Sequence, residues 1–166
     1  MKPIRNKTGF TVVEVLISLA ISAMLLASLA VAFNSSIMNY NENENIFKTI
    51  NNARQAMFRM TTQLRTADAV DPNAATDACS LITADGEDIT YKYNNSDNKL
   101  YLITNDDDTD SDYVVCENVT AMTFTQQTFV EDAITKVRSV QISITVQSGD
   151  IEKTISAASV VRRNLN

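Results

Sequence analysis

KTGFTVVEVLISLAISAMLLASLAVAF, residues 7–33, holds a glycine and a phenylalanine at the mouth of a long apolar run, with a glutamate four residues past that phenylalanine. From Val15 to Phe33 there is no charged residue, and the polar ones are Ser18, Ser22 and Ser28. At 1.5 Å per residue, a helix over residues 10–33 would reach roughly 36 Å, enough to cross a bilayer core. Lys2, Arg5 and Lys7 precede the run, and no basic residue follows it until Lys48. This asymmetry predicts a cytoplasmic N-terminus and an exported body, the head lying outside the inner membrane. An ordinary secretory signal has the same positive start, and Ala30 and Ala32 have the A-x-A spacing of its cleavage site.

Glu14 is the feature that a plain anchor does not explain. An ionised carboxylate in hydrocarbon costs several kcal/mol unless paired, so an acid inside a membrane helix marks a functional site. The plainer alternative is a side chain at the interface that reaches for headgroups.

With these residues in view, GFTVVE resembles the type III signal of type IV pilins and type II secretion pseudopilins: basic leader, glycine, phenylalanine and glutamate ahead of an apolar helix. The resemblance implies that prepilin peptidase cuts after Gly9 and that Phe10 becomes the N-methylated first residue. It also implies that Glu14 meets the N-terminal amine of a neighbouring subunit during assembly. A new cation from one chain then neutralises a buried anion from the next, so burial is tolerated only in register. The implied partners are other pilins or pseudopilins, the peptidase and an inner-membrane assembly platform.

After NYNENEN, apolar residues recur at Ile46, Phe47, Ile50, Ala53, Met57, Met60 or Thr61, and Leu64, near the spacing of an amphipathic helix. No proline or glycine falls between Phe10 and Val70. The spacing therefore predicts one helix to about Ala69, ended by Asp71-Pro72-Asn73, with Met57 and Met60 as core filler. Many major pilins, by contrast, interrupt the membrane half of this helix.

Beyond Pro72 the period changes to two. DITYKY and KLYLIT around NNSDN read as a hairpin, as do VRSVQISITVQ and IEKTISAASVV around SGD; VTAMTFTQQTF is a further strand. Val140, Ile142, Ile144 and Val146 alternate with polar residues, which predicts one face on the helix and one in water. The expected fold is α+β, a pilin fold whose long N-terminal helix packs on an antiparallel head. Its expected organisation is a cytoplasmic leader (1–9), a membrane and assembly helix (10–33), an amphipathic half (34–69) and a β-rich periplasmic head (70–166), the last two forming one globular domain. The pattern over residues 80–166 is most similar to PilW-like minor pilins and J-type minor pseudopilins. The implied role is a structural subunit that initiates, caps or adapts the filament tip, in a pilus or a secretion filament. The presence of Glu14 argues against the pseudopilin type that lacks this glutamate. The competing reading is a signal-anchored binding protein outside the membrane.

Cys79 and Cys116 are the only cysteines. In an exported domain an even pair reads most simply as a disulfide, worth roughly 3–4 kcal/mol by loop entropy; two separate buried thiols are the alternative. Asp106, Asp108 and Asp110 alternate, with Glu117 behind them, echoing the oxygen-ligand spacing of a calcium loop. Ser111 stands where such a loop needs glycine, so a solvated acidic hairpin loop competes with calcium.

The net charge of −6 argues against nucleic-acid binding, since phosphate neutralisation rests on Lys and Arg. With no histidine, three glycines in all and no nucleophile or phosphate-cradle motif, the expectation is a non-enzymatic protein.

Overall fold

The computed structural model describes residues 9–105 and 112–162. It consists of one helix, α1 (Val12–Thr66), and eight strands: β1 (Ala69–Val70), β2 (Ala78–Ile82), β3 (Asp88–Asn94), β4 (Lys99–Thr104), β5 (Tyr113–Cys116), β6 (Val119–Glu131), β7 (Ile134–Ser148) and β8 (Ile151–Val160). The chain divides into two compact units, residues 1–41 and 42–166.

In the second unit, β1 to β5 form an antiparallel sheet in chain order, and β6 to β8 form a separate antiparallel sheet. The architecture is the α+β, pilin-like one expected from the sequence. The two predicted hairpins are β3–β4 and β7–β8. The second turns through Gly149-Asp150, where Gly149 takes φ 58°, the left-handed conformation that a two-residue hairpin loop opening on glycine requires. Backbone bonds from Phe124 N–H to the Thr76 carbonyl (2.8 Å) and from Val119 N–H to the Asn98 carbonyl (2.9 Å) tie the sheets together. The Tyr93 hydroxyl adds bonds to the carbonyls of Val119 and Thr120.

A single apolar core joins the helix to both sheets. From α1 it takes Ala53, Ala56, Met57, Met60 and Leu64. Ala53 and Ala56 are small enough to let the sheet approach the helix axis, while Met57 and Met60 fill the space between, as their spacing suggested. The alternating face of β7, Val140, Ile142, Ile144 and Val146, is buried throughout. Ser159 on β8 donates to the carbonyl of Thr61, at 3.0 Å, fastening the last strand to the helix.

Two details depart from the sequence reading. The helix stops at Thr66, short of Ala69, because the following residues enter the sheet: Ala69 and Val70 pair with Ile82 and Leu81, and Asp68 N–H bonds the Ile82 carbonyl. Asp71-Pro72-Asn73 therefore ends a strand, with the Asp71 carboxylate accepting the Asn73 N–H at 2.9 Å in an Asx turn. The buried stripe of the helix also runs through Thr49 instead of Phe47, which is 65% exposed.

Candidate functional site: the capped helix N-terminus

The first described residues, Gly9 and Phe10, lie outside the helix. Among the described residues, no atom lies within 4 Å of where a Gly9 side chain would project, and Phe10 is 87% exposed.

Two residues further on, the helix begins with a closed reciprocal cap. Thr11 N–H and the Thr11 hydroxyl both donate to Glu14 Oε2, at 2.9 and 3.0 Å, while Glu14 N–H donates to Thr11 Oγ1 at 3.3 Å. This is a capping box: the Thr and Glu side chains each satisfy a backbone donor that the first helical turn leaves unpaired. In hydrocarbon, where no water can substitute, that matters more than in a soluble helix. Thr11 had no part in the sequence reading, yet T-x-x-E ahead of an apolar run is the signal that finds it. Glu14 Oε1 accepts no hydrogen bond from the described residues, so half of the carboxylate remains available to a partner.

The apolar run that follows is uncovered in the single chain. Leu16, Leu19, Leu25, Leu26 and Phe33 are all more than half exposed. Its serines do not interrupt that surface, because Ser18, Ser22 and Ser28 return their hydroxyls to the carbonyls of Val15, Ser18 and Met24. Every polar group along this face is turned inward, and the helix presents lipid or another helix with hydrocarbon alone.

The other residues singled out from sequence fall elsewhere. Cys79 and Cys116 are separate buried thiols, so the expected disulfide is not formed. The topology gives the reason. Cys79 is on β2 and Cys116 on β5, with β3 and β4 between them. Three inter-strand steps at about 4.8 Å place the two residues about 14 Å apart across the sheet, against the 4–7 Å that a disulfide spans. Burial pushes the Cys79 thiol up to about 12 and the Cys116 thiol up to about 11, with the Asp71 and Glu117 charges adding to the effect. Of the calcium candidates, Asp106, Asp108 and Asp110 lie outside the described residues. Glu117 follows β5 and pairs with Lys99 at 3.2 Å, and no metal-holding cluster occurs among the described residues.

A capped apolar N-terminal helix, long and apolar enough to cross a membrane, and an antiparallel-sheet head together make a pilin-like α+β fold. Residues 4–30 match the family model for the prokaryotic N-terminal methylation motif, so this segment is similar to the N-terminal signal of type IV pilins and pseudopilins. That motif implies processing by prepilin peptidase and assembly with other pilins in the membrane. No curated protein and no solved structure gives a significant match.

Proposed function

We propose that the chain is a non-enzymatic structural subunit, a minor pilin or pseudopilin, of a type IV pilus or type II secretion filament. Its head would act in filament initiation or at the tip, in the manner of the PilW-like and J-type subunits that residues 80–166 resemble. The observation that carries this reading is the divided Glu14 carboxylate. One oxygen closes the cap on Thr11, and the other accepts no hydrogen bond from the described residues at the head of the exposed apolar run. Cleavage after Gly9 creates an ammonium on Phe10. Supplied by a neighbouring subunit, that ammonium is the cation Oε1 lacks, and the pair removes most of the several-kcal/mol penalty of an unpaired acid in hydrocarbon. The head is then delivered outside the inner membrane and drawn into the filament by the assembly platform.

Comparing Glu14→Gln with Glu14→Ala tests the pairing. Gln keeps an acceptor for the capping box and discards the charge; Ala discards both. Both variants should insert in the membrane and fold their heads, and neither should enter the sheared filament fraction. Normal recruitment of Glu14→Gln would reduce Glu14 to a helix cap and remove the pairing from the account.

A further inference from the structure

Between α1 and the turn of the β7–β8 hairpin lies an open cleft of about 370 Å³, wholly within the second unit. Asn45, Thr49 and Asn52, spaced four and three residues apart on one helix face, line it from α1, and Asn118 and Gln147 line it from the sheet side. A smaller hollow of about 220 Å³ shares Asn118 and Gln147 and extends the row of carboxamides to Asn98.

Thr49 is 8% exposed, one of two buried polar residues among those described. The other, Ser159, gives its hydroxyl to the Thr61 carbonyl. Thr61, Thr62 and Thr66, also on α1, return their hydroxyls to carbonyls of the helix itself. The Thr49 hydroxyl makes no hydrogen bond among the described residues, although a buried polar group ordinarily finds a partner. It lines the cleft with donor and acceptor both unused. The side chains of Asn45, Asn52, Asn98 and Asn118 likewise make no hydrogen bond among the described residues. Asn98 and Asn118 are held in place by their backbones. They stand at φ 57° and 59°, a left-handed conformation that asparagine tolerates, and their carbonyls accept the N–H groups of Val119 and Gln147.

The lining chemistry narrows the ligand. No apolar or aromatic side chain lines either hollow among the described residues, so a lipid tail or the apolar anchor of a docking peptide has nowhere to sit. The cleft's one cation, Lys48, is already paired with Glu44 at 2.7 Å, and the Glu42 carboxylate lies 3.6 Å from where a Gly149 side chain would begin. An anion such as phosphate therefore finds no uncompensated positive charge. What remains is a row of neutral groups that each donate and accept, and its complement is a neutral molecule whose neighbouring groups do the same. Vicinal hydroxyls on a sugar ring have that property. We propose that this cleft binds a neutral saccharide, with Thr49 bonding one hydroxyl at the floor and the carboxamides of Asn52, Asn118 and Gln147 bonding others. Its volume falls in the range of about 300–1,000 Å³ typical of small-ligand sites. The site belongs to the head alone and goes beyond the filament reading, since a filament subunit and an anchored head would carry it equally.

Saturation-transfer NMR on the full chain in lipid nanodiscs, which bring no sugar detergent, tests the assignment. The probes are cellotriose, mannotriose and triacetylchitotriose, with inorganic phosphate and triglycine amide alongside. At least one trisaccharide should bind saturably, and phosphate and the peptide should not. Asn52→Ala with Asn118→Gly should weaken that binding about ten-fold while leaving the thermal midpoint of the head unchanged; glycine keeps the left-handed backbone at position 118. Thr49→Val, which removes the hydroxyl and keeps the branched shape, should weaken it as well. No binding of any trisaccharide, binding that the substitutions leave intact, or preference for phosphate or the peptide would overturn the proposal. The N-terminus of the same material is read by mass spectrometry. An N-methylated Phe10 on a chain that binds no saccharide would leave the filament reading standing and remove this site. Saccharide binding by a chain that still begins at Met1 would do the reverse.

Discussion

Cys79 and Cys116 should remain reduced and nearly inert in the folded protein, even in an oxidising compartment. Geometry supplies the first part: about 14 Å of sheet, with β3 and β4 in between, separates two residues that a disulfide needs within 4–7 Å. Chemistry supplies the second. With the thiols pushed from 9.0 to about 12 and about 11, the reactive thiolate at pH 8 falls about 10³-fold for Cys79 and about 10²-fold for Cys116, before any steric protection. The perturbation is an alkylating reagent applied at pH 8 to the protein isolated from its membrane without reductant. The readout is intact mass over time, native and then in denaturant. Native protein should take up essentially no label over a period in which a free cysteine peptide is fully modified. Unfolding should release two reactive thiols in every molecule. A native mass lower by two hydrogens, with no thiols released in denaturant, would show a Cys79–Cys116 bridge and refute the strand order of the five-stranded sheet.

Removing residues 1–33 should leave a soluble, cooperatively folding head, because every residue of the core cluster lies between Ala53 and Val161; a chain that stays aggregated or lacks a sharp urea transition would contradict this. In that head, Met60→Ala should lower the unfolding free energy by about 2–5 kcal/mol, since Met60 is fully buried between helix and sheets, whereas Phe58→Ala on the exposed face should change it by less than about 0.5 kcal/mol. Stability should also fall in alkali. The buried thiols stay protonated in the folded state while the unfolded chain ionises them near pH 9, so their contribution is complete below pH 9. It is lost progressively toward the folded values of about 11 and 12, at up to about 1.4 kcal/mol per pH unit for each thiol. Urea midpoints that stay flat from pH 8 to pH 10.5 would argue against that burial.

What was legible in the sequence was local. The apolar run, the alternation at Val140–Val146, the NNSDN and SGD turns and the Met57–Met60 pair each carry their meaning within a few residues, and each is realised in the structure. What was not legible depends on partners distant in the chain. The helix ends three residues early because Ala69 and Val70 find β2, a pairing with no mark in either segment. ACSLI is too short and too mixed to announce a central strand, yet as β2 it lies between β1 and β3 and sets the distance between the two cysteines. Phe47 lies near the helical period of the core, but the sheet selects the neighbouring line through Thr49 and Ala53 and leaves the aromatic ring outside. At the N-terminus the motif residues were plain from sequence. The role of Thr11, and the division of Glu14 between cap and open oxygen, arise only from how the first helical turn closes on itself.

The central claim is that Gly9–Phe10 is a processing site whose product joins a filament. Intact-mass and N-terminal peptide spectrometry on the protein from its native membrane tests it most directly. The account predicts a chain that begins at Phe10 and carries one methyl group on its amine. A chain that still begins at Met1, or one cut beyond Ala32, would contradict it. Such a result would make the protein an anchored or secreted binding module, with Glu14 serving only to cap a helix.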